Sequence, residues 1–551
     1  MKRTAIALAS MLASAVVSAE GLPPDTIFYG RFITLDAAAP DAQAIAVRNG
    51  VIVAIGTRVH VEHDVPQTTR RVQVPGIAVP GLADAHIHAT DTGALLEGLD
   101  AFQLSKQQII QRVRVRAKSV PAGAWILGDR WDQTLWPGKE FPTAQELDAV
   151  SGDHPVFLYR IDGHAAWVNS RALAAAGISR ATSDLPGGKI LRDSAGNPSG
   201  ILIDDAKDVV VRALPVDGAQ DIERHLRTAF KEMLRFGITS VHDAGVEMPT
   251  IDVYRDMARR HALPLRVYAM VWMSEPTLTK ALARGPEIGL GGGFLTIRSV
   301  KLVADGALGS YGAELSAPYT DRAETRGTVV TTDEQLDSVI VRAVARGFQV
   351  NTHAVGDNAN HRVLDAYARA GPAARALRFR VEHASMVRDE DVPRFAKLGV
   401  IASIQPNFVG QFSRWGEAHV GSERLPWMLP FRDLVDSGAR IATGTDYPDE
   451  SMDPIITLYC AVTRSGFDGT PARGWRPDQR LTVDTALRGA TAGAAYAAFQ
   501  ENELGALTVG RFADFTVLSG DPYLIPRDDM RSLRVLMTVV GGRIRYRESA
   551  K

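Results

Sequence analysis

The segment Asp84-Ala85-His86-Ile87-His88 holds residues whose types and spacing are suited to chemistry. It ends a β-rich run that predicts a strand, and successive side chains on a strand point to opposite faces. Asp84, His86 and His88 would therefore share one face, where two imidazoles can reach the same metal ion. A His-x-His pair alone is weak evidence, because histidines also occur at strand ends without a metal.

Three more potential ligands end strand-like segments further along the chain: His353, His383 and Asp446. Taken singly, each histidine would more often be a hydrogen-bonded core residue. Together with the first pair, four imidazoles and a carboxylate form a ligand set suited to zinc or a similar divalent ion. The sequence therefore favours a metal centre.

Lys301 lies in the apolar stretch Ser299-Val300-Lys301-Leu302-Val303, where a lone ammonium group would be costly to bury. Its charge must be compensated. An ion pair with Asp305 or Glu382 is one explanation from the residues alone, and a role in the metal centre is the other.

Eight strand-like segments recur along the chain, and helical patterns follow most of them. This alternation predicts an α/β fold, a (β/α)₈ barrel of the TIM type, whose active site lies at the carboxyl ends of its strands. The interval after the first strand is too long for one crossover helix, so we expect a large insertion that covers the barrel mouth. The predicted strands lie near Gly81–His88, Ile238–Asp243, Leu265–Val271, Ile297–Asp305, Phe348–His353, Phe379–His383, Val400–Ile404 and Arg440–Asp446.

Both chain ends carry shorter β-rich runs. Asn49-Gly50 separates two such runs and is typical of a tight hairpin turn. Strand patterns return only near 512–518 and 535–546, so we predict a small β-sandwich domain built from both ends. The expected organisation is residues 20–79 and 501–551 for this domain and 80–500 for the barrel, with the insertion and its connections at about 90–236.

Residues 1–19 have the layout of a secretory signal peptide, with Lys2 and Arg3 before an apolar stretch and small residues up to Ala19. We therefore expect export to the periplasm or the medium. No later stretch approaches ~18 uninterrupted apolar residues, so no membrane span is expected in the mature chain. The lone Cys460 has no disulfide partner within the chain and is expected to be a small buried residue.

The 551 residues are 45% hydrophobic and 23% charged, with a formal net charge of −1. This composition is globular, and without basic runs it favours no nucleic-acid partner, so a small-molecule substrate is expected. The chain lacks the G-x-S-x-G motif of many serine hydrolases. A homo-oligomer is compatible with these features.

Several motifs together resemble the amidohydrolase superfamily: DAHIH at 84–88, the buried lysine of the fourth strand, His353, His383, and GTDYP at 444–448. DGHAAWVN at 162–169, KLVADGALGS at 301–310 and THAVGDNAN at 352–360 are similar to its amidohydrolase-3, YtcJ-like branch. The resemblance spans nearly all of the chain after the signal segment.

The resemblance implies two divalent metal ions, with zinc the expected metal. Carboxylated Lys301 would bridge them, His86, His88 and Asp446 would bind one ion, and His353 and His383 would bind the other. A carbamate replaces the buried cation with a bidentate anion. The ions would polarise a substrate carbonyl and lower the pKa of a water, and Asp446 would accept that water's proton and return it to the leaving nitrogen.

Other residues are expected to contact the substrate or support the ligands. His164, in a motif of the branch, would hydrogen-bond the substrate carbonyl or the developing oxyanion. Trp131, Trp136 and Trp167 either line an apolar pocket or simply pack the insertion. His242 is expected near the substrate or in a hydrogen-bonding role, as are Asp84 and Asp243 beside the ligands.

The predicted function is metal-dependent hydrolysis of a non-peptide C–N bond, in an amide or an N-acyl or N-formyl amine. Deamination and ester hydrolysis on the same barrel remain open, because activated water attacks several kinds of electrophilic carbon. A periplasmic binding protein without turnover is a rival of another class. A mononuclear site with an unmodified Lys301 is a further alternative.

Overall fold

The computed structural model describes residues 23–161, 165–185 and 188–549. The predicted signal peptide at 1–19 therefore lies outside the described residues. In the described part of the chain, no helix combines the length and the apolarity needed to cross a bilayer.

Eight parallel strands form the barrel, and each coincides with a segment predicted from the sequence. Most are buried along their whole length, which explains their runs of Val, Ile and Leu instead of a simple alternation of polar and apolar residues. We number them barrel strands 1 to 8: Leu82–Ile87, Ile238–Val246, Arg266–Trp272, Leu295–Val303, Gln349–Ala354, Arg380–His383, Ile401–Ile404 and Arg440–Thr443.

Backbone hydrogen bonds between the ends of strands 1 and 8 close the barrel. The Asp446 N–H donates to the His86 carbonyl at 2.8 Å, and the His88 N–H donates to the Tyr447 carbonyl at 3.1 Å. Gly444 permits this approach, since a Cβ there would lie 2.4 Å from the His86 nitrogen. Closure thus places two predicted ligands, His86 and Asp446, side by side.

Helices surround the barrel and turn their apolar sides inward. Ala219–Arg235 shows the pattern: Leu226, Phe230 and Met233 are buried, while its arginines and glutamates face outward. The helices of the barrel region are Ala89–Glu97, Ala219–Arg235, Met248–Arg259, Glu275–Arg284, Leu290–Gly293, Asp333–Ala345, Asp357–Arg369, Pro372–Ala376, Val392–Leu398, Val409–Arg424, Phe431–Asp436, Pro454–Thr463, Val483–Arg488 and Ala494–Ala497.

Strands from both chain ends form a single seven-stranded sheet. Phe515–Leu518 pairs antiparallel with Arg70–Pro80, which joins the two ends in the interior of the sheet. The sheet rolls on itself, because Val51 at one edge forms a bridge with Phe512. The predicted β-sandwich is therefore one rolled sheet. Its strands are Thr26–Ile33, Asp41–Arg48, Val51–Gly56, Arg70–Pro80, Phe515–Leu518, Val535–Val540 and Arg543–Arg547, and the short helix Arg58–Glu62 packs beside them.

The insertion after strand 1 has a six-stranded sheet and a hydrophobic core of its own. Arg130 of the insertion is near enough to Tyr447, in the loop after strand 8, to influence the pKa of that phenol, which burial raises. Part of the insertion is therefore within electrostatic range of the loop after strand 8. Its strands are Leu99–Asp100, Ile126–Trp131, Val156–Arg160, Ala165–Val168, Gly188–Arg192 and Pro198–Asp204, and its helices are Lys106–Ala117, Ala144–Ser151, Ser170–Ala175 and Asp205–Val211.

Candidate metal centre

The six predicted metal ligands converge at the carboxyl ends of the barrel strands. Strand 1 brings His86 and His88, and the loop after strand 8 brings Asp446. Nε2 of His86 lies 3.4 Å from Oδ1 of Asp446, and Nε2 of His88 lies 3.2 Å from the same oxygen. One ligand atom from each residue can be chosen so that all three lie within 4.8 Å of one another, which is close enough to hold one ion.

The second pair of histidines lies against the first group. The ring centroids of His353 and His383 are 4.4 Å apart, and those of His86 and His383 are 4.9 Å apart. Nδ1 of His383 lies 2.9 Å from the side-chain oxygen of Gln405, so its Nδ1–H has an acceptor and Nε2 keeps its lone pair. The four rings and Asp446 thus form one continuous cluster.

Metal ligands must bind as neutral imidazoles or carboxylates, and the protonation states of His86, His353, His383 and Asp446 meet this requirement, whereas the pKa of His88 is raised to about 9. Burial and Lys301 lower the pKa of His86 to about 4, and burial is the main cause that lowers the pKa of His383 to about 3. Burial also lowers the pKa of His353 well below its usual value. Although burial opposes ionisation of Asp446, the neighbouring histidines hold its pKa well below the usual range.

A ring nitrogen without a hydrogen bond gives a further indication of a metal. Nε2 of His353 is buried and makes no hydrogen bond to a described residue, and Oδ1 of Asp305 lies 3.6 Å from it. A buried polar atom without a partner is costly and calls for an explanation such as a missing ion. Together with the donor set, this atom indicates that the cluster fits a divalent metal.

Lys301 is 3% exposed, and its Nζ lies 3.1 Å from Nε2 of His86. The ion pair considered from the sequence is not formed, since no carboxylate of a described residue lies within 4.0 Å of Nζ. Asp305 instead accepts three backbone N–H groups, and Glu382 pairs with Arg380. Burial lowers the pKa of Lys301, which favours its neutral amine.

Three site residues adopt left-handed backbone conformations that are uncommon without glycine: His383 with φ 75°, Ala384 with φ 45° and Asp446 with φ 56°. Such conformations cost free energy and often mark functional sites. Here they turn the chain at the ends of strands 6 and 8, where the ligands must point into the barrel mouth.

Two buried carboxylates support the ligand strands, as the sequence predicted. Asp84 accepts hydrogen bonds from the backbone N–H of His86 at 3.1 Å and of Thr445 at 3.0 Å. Asp243 accepts from the Ala89 N–H at 2.9 Å. These bonds hold the ends of strands 1, 2 and 8 in place.

His242 lies further from the cluster than its substrate role would require. It is 3% exposed, its Nδ1 accepts a hydrogen bond from Arg380 at 2.9 Å, and its ring lies against Tyr268. Arg380 and Glu382 separate it from His86. The structure therefore supports the hydrogen-bonding role considered for His242 and not direct contact with a substrate.

The tryptophans of the insertion pack its core, which corrects their prediction as substrate-binding residues. Trp131 and Trp167 are fully buried, and Trp136 stacks on Trp131. The indole N–H groups of Trp131 and Trp167 donate to backbone carbonyls of the insertion, at 2.7 and 2.8 Å. No surface of either ring remains for a ligand. His164, predicted to contact the substrate, lies outside the described residues.

The sequence reasoning missed Arg380 as part of the site and considered Glu382 only as an ion-pair partner of Lys301. Both Arg380 and Glu382 are fully buried, and Oε2 of Glu382 lies 2.6 Å from Nδ1 of His86. The sequence did contain a signal, because Arg380 and Glu382 are two charged residues on one face of an otherwise apolar strand. Charged residues are as unusual in this strand as Lys301 is in its own. Their contact with strand 1 involves residues almost 300 positions apart, which local patterns do not reveal.

A row of aromatic rings leads away from His383. Phe408 stacks beside His383 with centroids 6.2 Å apart, Phe412 follows at 6.0 Å, and Trp415 lies 4.9 Å further along. Phe412 is buried, whereas Phe408 and Trp415 are half-buried. The loop and helix after strand 7 thus supply an apolar flank to the metal cluster.

The model of the amidohydrolase family matches residues 76–546. YtcJ of Bacillus subtilis, an amidohydrolase by name, is 32% identical over 533 residues, which cover 95% of this chain and 99% of that protein. An N-substituted formamide deformylase of Arthrobacter pascens is 28% identical, with 93% of this chain and 96% of that protein covered. The crystal structure of an uncharacterized metal-dependent hydrolase from Pyrococcus horikoshii matches with a TM-score of 0.78 and 27% identity, over 91% of this chain and 99% of that one.

These similarities extend over the barrel, the insertion and the sheet formed by the chain ends. They agree with the ligand cluster at the barrel mouth, which was identified from the residues themselves. Sequence, fold and site lead to the same conclusion: the chain is an enzyme of the amidohydrolase family.

Proposed function

We propose that the enzyme hydrolyses a non-peptide amide bond, in an N-acyl or N-formyl amine, with two divalent metal ions bridged by a carboxylated Lys301. The observation that carries this proposal is the burial of Lys301 among the histidines without a carboxylate partner. A neutral lysine amine reacts with carbon dioxide, and the resulting carbamate supplies the missing negative charge. Zinc suits the imidazole and carboxylate donors.

His86, His88 and Asp446 would hold one ion, and His353 and His383 the other. When bound, the ions would supply Lewis acidity that polarises the substrate carbonyl and lowers the pKa of a water molecule. Asp84 and Asp243 keep the strand ends fixed, so the ligands need little rearrangement on binding.

Asp446 is the proton carrier in this proposal. Its carboxylate is ionised, because neighbouring histidines hold its pKa well below the usual range despite burial. It can therefore accept a proton from the attacking water and return it to the nitrogen as the C–N bond breaks. The products are a carboxylic acid and a free amine.

The aromatic flank suggests the chemistry of the rest of the substrate. Phe408 is half-buried beside His383, and the half-buried Trp415 lies further along the same row of rings. Such rings bind apolar or planar groups and offer little to an anionic one. We therefore expect a substrate with an apolar or aromatic substituent next to the scissile amide. The similar formamide deformylase supports an amide of a substituted amine.

A metal-defined activity screen tests the proposal. The mature enzyme, stripped of metal and reloaded with zinc, is assayed against formamides and acetamides with N-methyl and N-benzyl groups, and against lactams, esters and aminated heterocycles. We expect zinc-dependent amide hydrolysis with the N-benzyl compounds preferred. Exclusive turnover of aminated heterocycles or esters would identify a deaminase or an esterase instead, and no turnover of any class would favour a binding protein.

Phe408→Ala provides a control for the substrate class within the same screen. Loss of the ring should lower kcat/KM for N-benzylacetamide and leave kcat/KM for N-methylacetamide nearly unchanged, because the small substrate does not reach the flank. An equal loss for both substrates would show that Phe408 acts on the metal cluster and not on the substituent.

A further inference from the structure

A buried ion pair lies directly behind the metal cluster. Arg380 and Glu382 are both fully buried on strand 6, and Nε of Arg380 lies 2.8 Å from Oε1 of Glu382. The hydrogen bond of the pair is made by Nη2 of Arg380, which donates to Oε2 of Glu382 at 3.0 Å, while the contact between Nε and Oε1 is an ion pair without hydrogen-bond geometry. The same Oε2 lies 2.6 Å from Nδ1 of His86. The pair therefore contacts a predicted metal ligand directly.

The contact determines which nitrogen of His86 carries the proton. An ionised carboxylate can only accept a hydrogen bond, so the close Nδ1 must be the donor. The lone pair of the neutral ring then lies on Nε2, the atom that faces Lys301 and Asp446. Nε2 is the nitrogen that a metal ion at the cluster would use.

Arg380 keeps Glu382 ionised and in place. A carboxylate at zero exposure is unfavourable without a counter-charge, and Arg380 supplies one. Its guanidinium is itself fixed, since Nη2 donates to the Ala85 carbonyl at 2.7 Å and to Oγ of Ser403 at 2.9 Å. Nη1 donates to Nδ1 of His242 at 2.9 Å. Strands 1, 2, 6 and 7 thus all hold the arginine.

We propose that Arg380 and Glu382 form a positioning pair that holds His86 in the Nδ1–H tautomer and presents its Nε2 to a divalent metal ion. The inference rests on the proposed function only in taking His86 as a ligand. Hydrogen-bond partners of this kind orient ligand histidines, and their loss typically weakens metal binding by about 10- to 100-fold. In this arrangement His242 accepts a hydrogen bond from Arg380, which in turn holds Glu382 against His86. This position explains why His242 is buried away from the substrate.

Glu382→Gln is the most informative variant, because the amide cannot satisfy both neighbours. If its oxygen takes the place of Oε2, it still accepts from His86 and from Nη2 of Arg380, but its NH₂ group then takes the place of Oε1 and faces Nε of Arg380, which is also a donor. If its NH₂ group faces His86, Nδ1 must be the acceptor and the proton moves to Nε2. Either arrangement should weaken zinc binding by about 10- to 100-fold, measured by competition with a chromophoric chelator.

Asp514→Asn is the matched control. The side chains of Asp514 and Arg266 are each 2% exposed and form a buried ion pair with N–O distances of 2.6 and 3.0 Å, between the barrel and the terminal sheet. The same carboxylate-to-amide change should lower Tm while leaving zinc affinity within about twofold of wild type. Equal weakening in both variants, or wild-type zinc affinity in Glu382→Gln, would overturn the proposal.

A measurement on the native enzyme decides the matter if Glu382→Gln does not fold. Neutron diffraction from the zinc-loaded protein should show a deuteron on Nδ1 of His86 and none on Nε2, and a deuteron on Nε2 would overturn the proposal. The zinc readout is independent of turnover. Weakened zinc binding in Glu382→Gln would therefore support the pair even if the screen detected no amide hydrolysis.

Discussion

Nζ of Lys301 lies 3.1 Å from Nε2 of His86, and both side chains are buried. An ammonium group at this position would compete with a metal for the same lone pair. A carbamate at the same nitrogen would instead add a second anionic ligand beside Asp446. The state of Lys301 therefore determines whether the site can hold two ions.

Lys301→Ala should lose one or both ions, because a methyl group supplies no bridging anion. Reconstitution of the metal-free wild-type enzyme should be faster with bicarbonate and poor after carbon dioxide is removed. Elemental analysis and recovery of activity measure these effects. A short carboxylic acid is expected to restore part of the activity of Lys301→Ala by occupying the vacated space.

A fully active enzyme with one ion and an unmodified Lys301 would contradict the two-metal proposal. Lys189→Ala, a substitution on an exposed strand of the insertion, is the control and should retain the metal content of wild type.

Asp446→Asn should lower kcat by about 10²- to 10⁴-fold, the scale of general acid–base catalysis, because the amide cannot accept the proton of the attacking water. Turnover and metal content must be measured on the same sample, since Asp446 is also a proposed ligand. Asp468→Asn on an exposed loop is the matched control. Near-normal kcat in fully metallated Asp446→Asn would remove Asp446 from the proton-transfer step.

Zinc affinity of the metal-free enzyme should increase with pH up to about 9. Burial disfavours protonation of His88, but the hydrogen bond to Asp446 and the negative charge of Asp446 together outweigh it and raise the pKa of His88 to about 9. Below that pH a bound zinc ion must displace the proton, so this residue should contribute about tenfold in affinity per pH unit. His86, with a pKa of about 4, is already neutral between pH 6 and 9.

The pH prediction is checked by zinc titration between pH 6 and 9 in non-coordinating buffers. His88→Gln should bind zinc more weakly and lose about one proton from the pH slope. His154→Gln, which changes a histidine in the insertion, should keep the wild-type slope. If the pH dependence of zinc affinity were the same in His88→Gln and wild type, His88 would not be the residue that loses a proton when zinc binds.

His164→Ala should retain both ions and lose turnover, because the resemblance of the motif at 162–169 to the family leads us to expect His164 to contact the substrate and not a metal. Elemental analysis and kinetics on one preparation distinguish the possibilities. Loss of metal would make His164 a ligand or a support for one, and unchanged kinetics would exclude contact with the reacting groups.

The barrel strands and the residues that gather in the candidate metal cluster were predictable from the sequence, because their signals are local. Short apolar segments mark the strands, and polar residues at the ends of parallel strands must meet at one edge of the barrel. His86, His88, His353, His383 and Asp446 all follow this rule. Lys301 was recognisable because a charge is rare within an apolar strand.

Only the tertiary structure decided how these residues are supported. The pairing of Glu382 with His86, the loss of Trp131 and Trp167 as substrate residues, and the lack of a hydrogen bond from Nε2 of His353 to a described residue depend on contacts between distant segments. Period-two alternation assigns a side chain to a face of a strand but does not identify its neighbour across the barrel. That neighbour is set by barrel closure, and the space left for each ring is set by the packing of the insertion.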